Sequence, residues 1–204
     1  MTLSIINCLQ GSPEWRLARC GIPTASEFST CLASGKGGGP SKTRRTYMLK
    51  LLGERITGEP AESYTNHHML RGNMMEEEAR SMYALLEDVE PVTVGFVRND
   101  RVGASPDSLI GESGLLEIKT NLPHIILDLI FSDDKFPTEH IAQIQGQMWV
   151  TEREWCDLIC YWPKLKPFVK RVYRDEAYIK SLASGVFKFC DELDELEEKY
   201  GDIE

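Results

Sequence analysis

No apolar run in these 204 residues approaches the roughly 20 needed to span a bilayer. The opening Met1-Thr-Leu-Ser-Ile-Ile-Asn has neither the basic start nor the small-residue cleavage site of a secretory signal, so a cytoplasmic protein is expected. Cys-x-x-Cys pairs are also missing. The six cysteines, at 8, 20, 31, 156, 160 and 190, read as reduced, small apolar residues, which disfavours an iron–sulfur or structural zinc site. His67-His68 has no carboxylate or imidazole at metal-ligand spacing and reads as the start of a helix. There is no internal repeat. The stretch Ser34-Gly-Lys-Gly-Gly-Gly-Pro-Ser-Lys42 is no phosphate loop, because Ser41 stands where a glycine must precede the Lys-Thr pair. Its glycines and proline make a flexible loop the expectation, with a mobile DNA-contacting loop as the alternative.

Positive charge is the scarcer sign, with 23 Lys and Arg against 32 Asp and Glu and a net −9 at pH 7. Taken whole, that balance weighs against a nucleic-acid partner. The excess is concentrated, however: Asp191 to Glu204 carries eight acids and one lysine, or −7, leaving −2 on the other 190 residues. The tail reads as a solvated helix end, with a partner-binding acidic tail as the alternative. A nearly neutral body needs local basic clusters to meet a polyanion. Lys42-Thr-Arg-Arg45 and Lys164-Leu-Lys-Pro-Phe-Val-Lys-Arg171 are the candidates.

The first half reads as helices. Ser12 can cap a short helix with Pro13 at its first position, and Thr24-Ala-Ser-Glu27 has the spacing of a capping box. Lys42 to Ile56 and Asn66 to Leu86 have helical composition. Pro91 to Val97 reads as a strand, followed by shorter ones at Val102–Ala104 and Gly114–Lys119. A helix from Thr138 to Val150, strands at Trp155–Trp162 and Pro167–Tyr173, and a final helix from Asp175 complete the chain. This order predicts an α/β (α+β) fold with a central mixed sheet flanked by helices. The expected organisation is one domain over 1–204: a helical region at 11–88, a core at 90–174 and a closing helix at 175–200.

The chemistry-bearing residues lie between Gly103 and Thr120. Ser105-Pro106-Asp107 puts a carboxylate at a turn that opens a strand, and Glu117 follows two residues before Lys119. Residues two apart on a strand share a face, so Glu117 and Lys119 point one way and Leu116 and Ile118 the other, toward a packed layer. Charges in an apolar strand need partners or a metal to offset desolvation. Asp107 and Glu117 supply hard oxygen ligands suited to Mg²⁺ or Mn²⁺. Such a metal polarises a phosphate and acidifies an attacking water. Lys119 can orient or deprotonate that water, or stabilise charge building on the phosphate. Glu-x-Lys alone is common, and an incidental pair on a solvent-facing strand is the bland alternative.

Four segments in order resemble the phage lambda-type exonuclease family, the YqaJ-like viral recombinases, within the PD-(D/E)xK nucleases. They are Trp15-Arg-Leu-Ala-Arg19-Cys-Gly-Ile-Pro-Thr24-Ala-Ser26-Glu; Arg71-Gly72-Asn-Met-Met-Glu76-Glu-Glu-Ala79; Ala104-Ser105-Pro-Asp107 with Leu116-Glu117-Ile-Lys119; and Ala142-Gln143-Ile-Gln145-Gly-Gln-Met148-Trp149. The resemblance spans about Gly11 to Trp162 and implies a restriction-endonuclease-like core. It also implies roles: Asp107, Glu117 and the Ile118 carbonyl would hold one divalent ion, and Asp107, with Glu76 directly or through water, a second. Mg²⁺ is the implied metal, with Mn²⁺ a plausible substitute. Lys119 and Gln143 would position the nucleophilic water, and Arg19, Ser26 and Ser105 would receive a 5′-terminal phosphate.

The residues by themselves read more plainly. Arg19 offers bidentate donors to phosphate, yet beside Trp15 it can simply stack. Ser26 falls in the first turn of a Thr24-capped helix, where main-chain N–H groups favour an anion. Glu76 alone reads as a solvated helix residue, and His140, Gln143 and Gln147 as a hydrogen-bonded packing stripe. The resemblance tips Arg19, Ser26, Glu76 and Gln143 toward function. One departure stands out: the family's best-known member has an Arg several residues after its catalytic Lys. Thr120-Asn-Leu-Pro-His124-Ile-Ile126 has none, leaving His124 or a residue elsewhere to substitute.

The resemblance thus implies a processive 5′→3′ exonuclease that degrades one strand of linear duplex DNA to mononucleotides. It further implies a phage or prophage origin, a ring-shaped homotrimer around DNA, and a single-strand annealing recombinase as partner. The rivals are a restriction-type endonuclease, for which no base-reading element is visible, and a non-catalytic DNA-binding adaptor, against which Asp107, Glu117 and Lys119 together argue.

Overall fold

The computed structural model of the chain describes residues 3–61, 67–132 and 136–201, and for 67–73 the main chain alone. The side chains of His67, His68 and Arg71, and the last residues of the acidic tail, therefore lie outside the described residues. In chain order the elements are β1 (Leu3–Ile6), α1 (Pro13–Ala18), α2 (Phe28–Leu32), α3 (Lys42–Thr57), α4 (His67–Glu87), β2 (Pro91–Val92), β3 (Phe96–Asn99), β4 (Val102–Ala104), β5 (Ser108–Ile110), β6 (Gly114–Lys119), α5 (Pro123–Phe131), α6 (Ile141–Thr151), β7 (Trp155–Cys160), β8 (Phe168–Tyr173) and α7 (Glu176–Gly201). Among the described residues no helix is long and apolar enough to cross a membrane.

The expected α+β fold is what forms. A five-stranded mixed sheet runs β2-β5-β6-β7-β8, parallel only between β6 and β7, and a small antiparallel sheet runs β1-β3-β4. β6 occupies the middle of the larger sheet. Strand alternation splits its residues between two packed layers. Leu116 and Ile118 join Ala79 and Tyr83 of α4, while Leu115 joins Ile126 of α5, Ile144 and Met148 of α6, and Cys156, Leu158 and Cys160 of β7. The two β7 cysteines thus share one buried strand face. A third core gathers α2, α3 and α7 against β3, β4 and α6. The buried stripe of α7, Ile179, Leu182, Val186, Phe189 and Leu193, follows the helical period, each fully buried side chain contributing about 1.5–3 kcal/mol.

Local signals explain several boundaries. Ser12 Oγ accepts from Trp15 N (3.2 Å) with Pro13 at the first position of α1. Asp175 Oδ1 accepts from the amides of Ala177 and Tyr178 (3.0 Å each), starting α7.

Other expectations are corrected. Pro91–Val97 is two strands in different sheets, because the chain turns at Gly95, where a Cβ would stand 2.5 Å from the Cys8 carbonyl oxygen. Thr24–Glu27 is no capping box: Thr24 makes no side-chain cap bond, and Ala25–Glu27 is a single 3₁₀ turn. The helix expected from Thr138 opens as a 3₁₀ turn, Thr138–His140, before α6. The basic clusters are partly inward. Arg44 is 8% exposed and donates to the Cys31 carbonyl and to Glu192, and Arg171 grips buried Asp157 with two bonds of 2.8 Å. The acidic tail is not merely solvated either, since Asp191, Glu192, Asp194 and Glu197 pair with Arg101, Arg44 and Arg55.

Candidate active site

The apolar alternation of β6 forces Glu117 inward, where it is 3% exposed. An isolated carboxylate there would be costly, and α6 supplies the compensation. Gln143 and Gln147, one turn apart, donate to Glu117 Oε1 (2.6 Å) and Oε2 (2.6 Å). Lys119 Nζ, on the same strand face, donates to Glu117 Oε1 (2.7 Å) and to Gln143 Oε1 (3.1 Å). Burial pulls the Lys119 ammonium down, but the charge and hydrogen bond of Glu117, with Asp107 behind it, carry it above the ordinary lysine value. His140, just before α6, is pushed down by burial and then by Lys119. The expected polar stripe of α6 is therefore real, and two of its members hold the strand carboxylate.

Asp107, at the turn into β5, accepts from Ile118 N (2.6 Å), which joins it to the strand carrying Glu117 and Lys119. Its carboxyl is held well above the usual range, first by burial and then by the negative charges of Glu117 and Glu76, against the pull of the Ile118 N–H and Lys119. The turn is fixed from behind by Gln10, whose Nε2 donates to the carbonyls of Val94 (2.9 Å) and Pro106 (3.0 Å). Glu76 reaches the neighbourhood from α4 and forms an ion pair with Arg80 one turn later. Arg80 also donates to Ser108 Oγ (2.9 Å) and to the Asp107 carbonyl (3.4 Å). Arg80 was not identified from sequence; its i,i+4 relation to Glu76 was the one available signal. A cleft of about 910 Å³ opens here, lined among others by Gln10, Trp15, Arg16, Glu76, Arg80 and Asp107.

Arg19 lies at the end of α1 with its guanidinium 4.0 Å from the Trp15 ring centroid. It also donates to Ser105 Oγ (3.1 Å) and Thr24 Oγ1 (3.3 Å), so the stacking and polar readings hold together. Trp15 Nε1 donates to the same Ser105 hydroxyl (2.9 Å), and Thr24 Oγ1 lies 3.3 Å from the exposed Ser26 Oγ. Thr24 is a second partner of Arg19 that sequence did not single out. Because Ser26 sits on a single 3₁₀ turn, the helix N-terminus argument for an anion does not apply to it. Ser105 is two residues from Asp107, which places the Arg19 cluster next to the carboxylates. His124, the suggested substitute for a missing arginine, is exposed on α5.

Among the described residues no three His, Cys, Asp or Glu side chains converge as a ready-made metal cage. The donor set that fits a hard divalent cation is smaller: the carboxylates of Asp107 and Glu117 with the main-chain carbonyl of Ile118, all oxygen. The crowding of Glu117 and Glu76 on Asp107 is negative charge that such a cation would offset. Glu76, as placed, is engaged with Arg80.

The YqaJ-like viral recombinase domain matches residues 14–154. No curated protein matches the chain. The solved structure of an alkaline exonuclease, LHK-Exo, from Laribacter hongkongensis is 32% identical with a TM-score of 0.83, covering 94% of this chain and 97% of that one. LHK-Exo in complex with dAMP matches equally, at 32% identity and TM-score 0.83, over 93% and 96% of the two chains. A phage-related exonuclease from Haemophilus somnus 129PT, at 14% identity, TM-score 0.69 and coverage of 88% and 96%, shares the fold. With the family domain covering more than half its length, the chain belongs to the YqaJ-like viral recombinase family.

Proposed function

We propose that the chain is a divalent-metal-dependent exonuclease that degrades one strand of linear double-stranded DNA in the 5′→3′ direction, releasing mononucleotides and leaving a 3′ single strand for annealing-type recombination. The observation that carries this reading is the bonded set Glu117, Lys119, Gln143 and Gln147, with Asp107 joined to it through Ile118 N. The alkaline exonuclease likeness, one relative holding dAMP, supports the same chemistry.

Asp107, Glu117 and the Ile118 carbonyl would hold Mg²⁺, or Mn²⁺ in its place, which when bound supplies Lewis acidity toward a phosphate oxygen. A second ion would draw on Asp107 and Glu76. Gln143 and Gln147 fix the Glu117 carboxylate so that it cannot swing away. Two of the three Lys119 protons are engaged by Glu117 and Gln143, and the third is available to a water or a phosphate oxygen. Arg19, with Ser105 and Ser26, would receive the 5′-terminal phosphate through a planar pair of N–H donors. The family likeness further suggests a homotrimeric ring on DNA, a phage-encoded origin and an annealing recombinase partner.

The test is incubation with Mg²⁺ and linear duplex labelled and phosphorylated at one 5′ end, beside a closed circle. Early release of labelled mononucleotide with the circle intact is expected. Cutting of the circle would replace the exonuclease by an endonuclease, and no cleavage under varied divalent ions would leave a DNA-binding protein.

A further inference from the structure

Arg80 is the charged group nearest the carboxylates that the reading above does not use. Its side chain is 17% exposed, it lines the cleft with Glu76 and Asp107, and its donors diverge to three acceptors on two elements. Nη2 meets Glu76 Oε1 and the Asp107 carbonyl, and Nε meets Ser108 Oγ. The Ser108 hydroxyl in turn donates to the Asp107 carbonyl (2.6 Å). A surface i,i+4 pair would leave the arginine's other donors in water. Here Nε and a second Nη2 contact are spent on the turn that aims Asp107.

We infer that Arg80 is a positioning residue for the metal site, its guanidinium fork locking the Glu76 carboxylate of α4 to the Asp107–Ser108 turn. The inference deepens the proposed nuclease reading and rests on it. A guanidinium suits the task because its donors are coplanar and rigid, whereas a lysine ammonium offers the charge without the fork. Without Arg80, Glu76 is free to rotate into solvent, and the Asp107 carbonyl loses one of its two side-chain donors.

The experiment titrates Mn²⁺ into the full chain without DNA, read by electron paramagnetic resonance, with thermal melting as the control for folding. Arg80→Ala should weaken Mn²⁺ binding by about 10–100-fold, the range for residues that orient metal ligands. Arg80→Lys should recover little of that loss. Adding Arg80→Ala to Glu76→Ala should cost clearly less than the sum of the two single losses, because part of the arginine's effect runs through that carboxylate and the rest through the Asp107–Ser108 turn. Ser108→Ala, which removes one anchor and leaves Arg80 in place, should weaken binding several-fold even if Arg80→Ala fails to fold. Wild-type affinity in Arg80→Ala, full recovery in Arg80→Lys, or additive losses in the double variant would each overturn the assignment. A wild type that binds Mn²⁺ but cuts no DNA overturns the nuclease reading alone.

Discussion

Glu117 and Gln147 depend on each other at the scale of single residues. Gln147 is 1% exposed and spends its amide on Glu117 Oε2. Gln147→Leu keeps the volume roughly and leaves a buried carboxylate oxygen without a donor. In metal-free protein, urea unfolding should show a loss of about 1–3 kcal/mol, and unchanged stability would mean that Glu117 finds another donor. Lys119→Ala differs in kind: DNA binding should persist while cleavage falls by orders of magnitude, and near-normal turnover would remove Lys119 from the chemistry. The facing of Glu117, Lys119, Leu116 and Ile118 was legible because a strand has period two. The role of Arg80 was not, because Ser108 and Asp107 approach it only once α4 has packed on the sheet. Thr24 escaped for a related reason, its hydroxyl reading as a cap when its partner is Arg19.

Elements with a long, regular burial pattern were readable, and short ones defined by contact were not. The α3 and α7 helices lie within a residue or two of expectation because capping residues and helical spacing mark them locally. The β1 strand, with mostly exposed residues, exists through pairing with β3 and carries no pattern of its own. Pro91–Val97 looks continuous in sequence, and only the approach of Cys8 to Gly95 divides it. Gly103 in β4 is a similar constraint. A Cβ there would stand 2.0 Å from the fully buried Phe96 ring, and Gly103 N donates to the Pro23 carbonyl (3.0 Å) beside Thr24. Gly103→Ala should cost about 1–3 kcal/mol by overpacking, seen as a lower urea midpoint. Because β4 leads into Ser105, activity on 5′-phosphorylated ends should fall as well. A variant of wild-type stability would show that Phe96 can move aside.

Across the whole molecule, the question is how a chain of net charge −9 meets DNA. Composition gave the sum but could not say which arginines were already spent. The cluster Lys42-Thr-Arg-Arg45 divides between two tasks. Arg44 turns inward, donating to the Cys31 carbonyl (2.7 Å) and Glu192 (2.8 Å) and lying 5.1 Å from the Phe189 ring centroid, so it ties α2 and α7 to α3. Lys42 and Arg45, on either side, are exposed. If they meet phosphates, Lys42→Ala with Arg45→Ala should weaken binding to linear duplex alike for all sequences. Each lost contact should flatten the slope of log affinity against log salt by about one unit, while the melting temperature stays put. Arg44→Ala should do the reverse. It should lower stability by about 1–3 kcal/mol, because the Cys31 carbonyl loses its donor and Glu192 its partner, and leave the salt slope unchanged. Equal salt slopes in the wild type and the Lys42/Arg45 variant would remove the start of α3 from the DNA path, and the −9 chain would then have to find its phosphate contacts on another face.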